Sequence, residues 1–175
     1  MYEIKVVGFE EAMGAIRAMQ THVKENSSKY WQAVCYAIVD EHGELVAFAK
    51  SDCLNLISGR MAIKKAFTSA IWRKPTGIVL DWARGLILDP NSEGLFINPK
   101  GDIADLWASA GQPNYEYGFT GVPGGLPIIP PGQERLPLKT CIGAIGVGGA
   151  GPGELDEEVA MVGLRYIENA LWPPK

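Results

Sequence analysis

Histidine and cysteine are scarce in this 175-residue chain, at two and three residues. His22 and His42 stand well apart, and no C-x-x-C, H-x-H or H-E-x-x-H spacing occurs. Metal sites need converging His, Cys or carboxylate ligands, so no metal site is expected. A Ser-His-Asp or Cys-His arrangement would have to recruit one of those two histidines. G-x-S-x-G is missing too, which disfavours hydrolase chemistry of that kind. Cys35, Cys53 and Cys141 cannot all pair within one chain, and their apolar or strand-like neighbours mark them as buried, reduced thiols. Positive charge is not in surplus: 16 Lys and Arg face 20 Asp and Glu, for a net charge of −4 and a pI near 5.2. That balance supplies no bulk attraction to nucleic acid or to anionic lipid. No apolar run reaches the roughly 18 residues that span a membrane. The opening string MYEIKVVGFEEAM lacks the basic segment and apolar run of a secretion signal, so a cytoplasmic location is expected. No repeat, low-complexity tract or interdomain linker occurs, which predicts a single domain over residues 1–175.

What is present describes a globule. Apolar residues make up 47% and charged residues 21%, with mean hydropathy +0.02. A chain of this length buries roughly 70% of its unfolded surface, enough for a core without staples. The 21 glycines and 12 prolines point to many tight turns. Phe9, Ala12, Met13, Ile16, Met19 and Val23 form a stripe at helical spacing, predicting a helix over 10–23. Strands are expected over 33–40 and 45–50, joined by the turn Asp40-Glu41-His42-Gly43. A second helix should run from Ser58 to about Trp72, where Pro75 stops it. Short helical stretches are read at 79–88 and 103–108 within a loop-rich region. Strands at 126–129 and 140–147 and a last helix over 155–171 complete the chain. Hairpins alternate with helices, so the sheet should be mainly antiparallel.

The loudest local pattern is Gly146-Val147-Gly148-Gly149-Ala150-Gly151, a literal G-x-G-x-x-G between a strand and a helix. Only 24 residues come after it, too few for the second strand of a dinucleotide fold. Glu154, Asp156, Glu157 and Glu158 also occupy the next helix start, where they already answer its positive end. A glycine turn that lets backbone approach a neighbouring element is the better account. On the second helix, Lys65 lies nearly opposite the apolar face. It is either solvated or, under a second subunit, a buried cation able to hold an anion. His22 flanks the stripe of the first helix, as a partly exposed residue or a haem ligand. Trp107, Tyr115, Tyr117 and Phe119 crowd one loop region, and no Lys or Arg occurs between Gly101 and Glu134. These aromatics either pack the loop or cover a ligand.

AVCYAIVDEHGELVAFAKSD, SGRMAIKKAFTSAIWRKPT, GGLPI and IGAIGVGGAGPGELDEEVAMVGL, in that order along the chain, resemble the GlcG/HbpS-like haem-binding (haem-degrading) family, which includes the C-terminal domain of the propanediol-utilisation corrinoid adenosyltransferase. The hairpin AVCYAIVDEHGELVAFAKSD resembles the family's at Asp40, Gly43 and Asp52. SGRMAIKKAFTSAIWRKPT resembles its helix at Ser58, Ala62, Lys65, Ala66 and Thr68, and GGLPI its strand at Gly124, Gly125, Pro127 and Ile128. IGAIGVGGAGPGELDEEVAMVGL is similar at Gly143, Gly146, Gly149, Asp156, Ala160 and Gly163. The resemblance implies a profilin-like α/β/α sandwich (mixed α/β, α+β) around a five-stranded antiparallel sheet, assembled as a homo-oligomer. It also implies binding of haem or a related tetrapyrrole. Gly148 stands where the family usually has Ser, and residues 75–125 form a longer, more aromatic insert.

The residues and the resemblance together support two functional readings. In the first, the chain is a small-molecule-binding protein, with haem or a tetrapyrrole as ligand and His22 as the haem-ligand candidate. In the alternative it is a cofactor-independent enzyme, of lyase, hydratase or isomerase type, acting on a small organic acid in a catabolic pathway. Asp40, Asp52 or Glu116 would then serve as acid or base, and Lys65 or Arg60 would hold a carboxylate. An accessory protein that stabilises a partner enzyme is a third class. The expected ligand site lies between the start of the second helix (Ser58, Arg60), the Gly124-Gly125 turn and the aromatics Trp107, Tyr115 and Tyr117. Gly146 and Gly148 flank it, and the expected ligand is planar or carries a carboxylate.

Overall fold

The computed structural model describes residues 5–52, 57–78, 119–133 and 140–174. Cys53, Trp107, Tyr115, Glu116, Tyr117 and the helical stretches expected at 79–88 and 103–108 lie outside them.

Helix α1 (Phe9–Glu25) carries Glu10 and Glu11 in its first turn, where they complement the positive helix end. Its buried face is Ala12, Ala15, Ile16, Met19 and Val23. Phe9, expected inward, is 61% exposed at the first position of the helix, and the buried face begins at Ala12. Strands β1 (Cys35–Asp40) and β2 (Leu45–Lys50) form the expected hairpin. Asp40 Oδ1 accepts the N–H groups of His42 and Glu44, both at 2.9 Å, and Gly43 supplies φ +83. Helix α2 (Ser58–Trp72) ends on Arg73 at φ +55. Strands β3 (Gly125–Ile128) and β4 (Gly143–Gly148) and helix α3 (Gly153–Leu171) complete the described elements.

The result is a mixed α+β fold on an open antiparallel sheet of order β2-β1-β4-β3. Among the described residues the sheet has four strands, not five. The strand patterns carried by the residues also number four; the fifth is implied by the resemblance alone.

Side chains alternate across a strand, and here the two faces differ in size. Tyr36, Ile38, Ile145 and Val147 join the large core beneath α1 and α3. Cys35, Ala37, Val39 and Ala144 face the alanines of α2, Ala62, Ala66 and Ala70. Helices therefore cover both faces of the sheet. Among the described residues, no helix is long and apolar enough to cross a membrane.

Candidate functional site

The small face of the sheet sets how closely α2 can approach. A Cβ on Gly146 would fall on the Ala62 carbonyl oxygen. On Gly148 it would lie 2.6 Å from the Ser58 oxygen, and on Gly125 2.5 Å from the Lys65 oxygen. These glycines let α2 rest backbone on backbone against β3 and β4. The glycine run is thus a packing device in its first half, with α2 in the space a side chain would take.

So close an approach draws the flank of α2 inside. Lys65 is 1% exposed within the single chain. It is neither solvated nor dependent on a second subunit for burial, which corrects both expectations for it. Its Nζ donates to Asp156 Oδ2 at 2.5 Å, and Asp156 Oδ1 accepts the Ala150 N–H at 2.7 Å. Gly124, at φ +117, makes the room: a Cβ there would lie 3.0 Å from Lys65 Nζ. Burial pulls the Lys65 ammonium below its ordinary range, against the opposing pull of Asp156. Burial likewise pushes the Asp156 carboxyl up, offset by Lys65 and by backbone N–H groups of Ala150 and Gly149. Asp156 is the residue that sequence reasoning misses. In the sequence it is one of four acids at a helix start, yet unlike Glu154, Glu157 and Glu158 it is buried.

A cavity of about 250 Å³ opens on this pair. Ser58, Lys65, Gly148, Gly149 and Asp156 give it its polar and backbone lining. Trp31, Ile57, Met61 and Val122 supply the apolar part.

A larger, open groove of about 750 Å³ runs between the end of α1 and the first half of α3. His22 lines it, with Nε2 3.0 Å from the Tyr30 hydroxyl. That hydroxyl donates its one proton to Glu158 Oε2 at 3.1 Å, and Glu158 also takes Lys29 Nζ at 2.5 Å. With the phenol proton on Glu158, the tautomer that satisfies the chain has Nε2 donating to Tyr30. In that tautomer the lone pair lies on Nδ1. An imidazole oriented through its other N–H in this way is the arrangement that ligating histidines use. Pro123, Ile78, Met161 and Val162 line the groove with apolar surface, and Lys29 and Arg165 bring positive charge.

Residues 8–165 match the family described as haem degrading protein, HbpS-like. The chain belongs to the HbpS-like family. No curated protein matches it in sequence. Among solved structures, a double mutant of Streptomyces reticuli HbpS is similar at 24% identity and TM-score 0.65, over 94% of this chain and 89% of that one. Klebsiella pneumoniae protein ORFY is similar at 18% identity and TM-score 0.70, over 95% and 94%. A PduOC:haem complex is similar at 18% identity and TM-score 0.67, over 93% and 95%.

The remaining sequence-predicted residues of this HbpS-like chain scatter. Ser58, Lys65 and Gly148 meet at the smaller cavity. Arg60 and Asp52 are exposed, and neither lines either cavity. Asp40 holds its own turn. Gly124, Gly125 and Gly146 abut Lys65 or α2 instead of lining either cavity. Trp107, Tyr115, Tyr117 and Glu116 fall outside the described residues. Among the described residues, no cluster of three or more His, Cys, Asp or Glu could hold a metal ion.

Proposed function

We propose that this HbpS-like protein is a small-molecule-binding protein whose ligand is haem or a related tetrapyrrole, seated in the groove beside His22. The observation that carries the reading is the hydrogen-bond chain Glu158–Tyr30–His22, which with Nε2 donating to Tyr30 would leave Nδ1 as the imidazole's lone-pair nitrogen. Family membership supports it, as does the fold shared with a protein solved as a haem complex. The groove's volume, about 750 Å³, is of the size that ligand sites have. The residues present fit the group. His22 would ligate the iron, apolar Met161, Val162, Ile78 and Pro123 would face the ring, and Lys29 or Arg165 would meet its carboxylates. Bound haem brings the redox and oxygen chemistry of its own iron. The chain's part is to hold the imidazole in one tautomer through Tyr30 and to offer a partly apolar wall. Glu154 and Glu157 line the same groove and oppose an anion, so the ring's carboxylates are expected toward Lys29 or Arg165. Assembly as a homo-oligomer is part of the same proposal.

Haem titration followed by absorbance tests it. The chain should develop a saturable Soret band, and His22→Ala should lose it or weaken binding by at least about tenfold. A Soret titration unchanged in His22→Ala would sink the assignment.

A further inference from the structure

We infer that the smaller cavity is a separate binding site for a small neutral molecule bearing a carbonyl oxygen on an apolar body, with Lys65 as the donor that holds it. The inference does not rest on haem binding at the groove. The Lys65 side chain is 2% exposed, and an ammonium carries three N–H donors. Among the described residues one of them is matched, by Asp156 Oδ2 at 2.5 Å. Among the described residues, two donors of a buried cation thus face no protein acceptor, an expensive arrangement without a partner. Lys65 lines a cavity of about 250 Å³, which is where an acceptor can sit.

Charge then selects the class of ligand. Lys65 and Asp156 cancel, so a carboxylate would add an unbalanced negative charge beside Asp156 in a poorly screened interior. A carbonyl oxygen accepts from the ammonium without that cost. Asp156 itself is occupied, since its Oδ1 accepts the Ala150 N–H at 2.7 Å and the Gly149 N–H also donates to the carboxylate. The body of the ligand is set by Met61, Ile57, Val122 and Trp31, of which Trp31 is 61% and Ile57 68% exposed. Such a cavity is smaller than the roughly 300–1,000 Å³ of drug-sized sites, which limits the ligand to about one ring.

The test uses the intact protein, labelled with nitrogen-15, and two probes of one shape, benzamide and benzoate. Benzamide should shift the backbone N–H signals of Gly148 and Gly149 saturably and bind at least about tenfold more tightly than benzoate. Lys65→Met/Asp156→Asn, which removes both charges together, should lower benzamide affinity at least tenfold. Met61→Trp leaves the ion pair in place and fills the cavity, and it should block benzamide in the same way. Haem titration should be unchanged in both variants. The inference is overturned if benzamide gives no saturable shift at those glycines. It is equally overturned if benzoate binds as tightly, or if the folded variants bind benzamide like the parent.

Discussion

Lys65 and Asp156 lie 91 positions apart and meet in the interior, and each is held there by the other. Removing one partner of a buried pair strands the other's charge, whereas removing both together is often neutral. Asp156→Asn should therefore destabilise the chain by about 3–5 kcal/mol, and Lys65→Met/Asp156→Asn should recover most of that loss. Denaturant titration of the two variants checks this; equal losses would show that the ion pair is not the source. Tyr36 is a second buried titratable group. Burial, with the nearby Cys35 thiol second, pushes its phenol well above the ordinary range. A folded value raised above the unfolded one gives stability that is complete below pH about 10 and is lost as pH rises through the folded value. Between about pH 10 and 12 the parent should thus lose stability faster than Tyr36→Phe, read by unfolding at each pH. Parallel curves would remove Tyr36 from the account. At this scale the sequence is half legible. Lys65 stands out as a cation at an odd position of its helix. Its counter-ion does not, because Asp156 looks like any acid at a helix start until α2 is known to lie against β4.

Among the described elements helix α2 and strand β4 make the most extensive contact, and the alternation Ala144, Gly146, Gly148 against Ile145, Val147 allows it. The sequence marks these glycines as a place where backbone approaches a neighbour, and for Gly146 and Gly148 the neighbour is α2. Which neighbour it would be is not legible in the sequence, since that depends on non-local packing. Gly146→Ala should cost about 1–3 kcal/mol or more by overpacking, because its Cβ would fall on the Ala62 carbonyl. Wild-type thermal stability in that variant would mean α2 can lift away. Element identities are legible where periodicity is long, as in α1 and α3. Their ends are less so: β4 starts at Gly143, three residues later than the pattern predicts.

For the molecule as a whole, the antiparallel sheet and the alternation of hairpins and helices are legible from turn chemistry and pattern. Strand order is not, because it depends on pairings across the whole chain. Assembly can be tested at this scale. Among the described residues strand β2 is an edge of the sheet, with Leu45 44% and Phe48 38% exposed, and an edge left open invites a partner. Sedimentation should return a multiple of 18.9 kDa, and a mass of one chain would count against the homo-oligomer. The strand order has a further consequence, for synthesis. Strand β4 sits between β1 and β3, so a central place in the sheet is filled by residues 143–148. A ribosome delivers them after β1, β2, α2 and β3. Until they emerge, Cys35, Ala37 and Val39 of β1 have no β4 beside them, and α2 has no glycine strand to lie on. The nascent chain must hold an unpaired strand edge from β1 onward and an apolar helix face from α2 onward until residues 143–148 emerge, and the sheet is then completed by a non-local pairing.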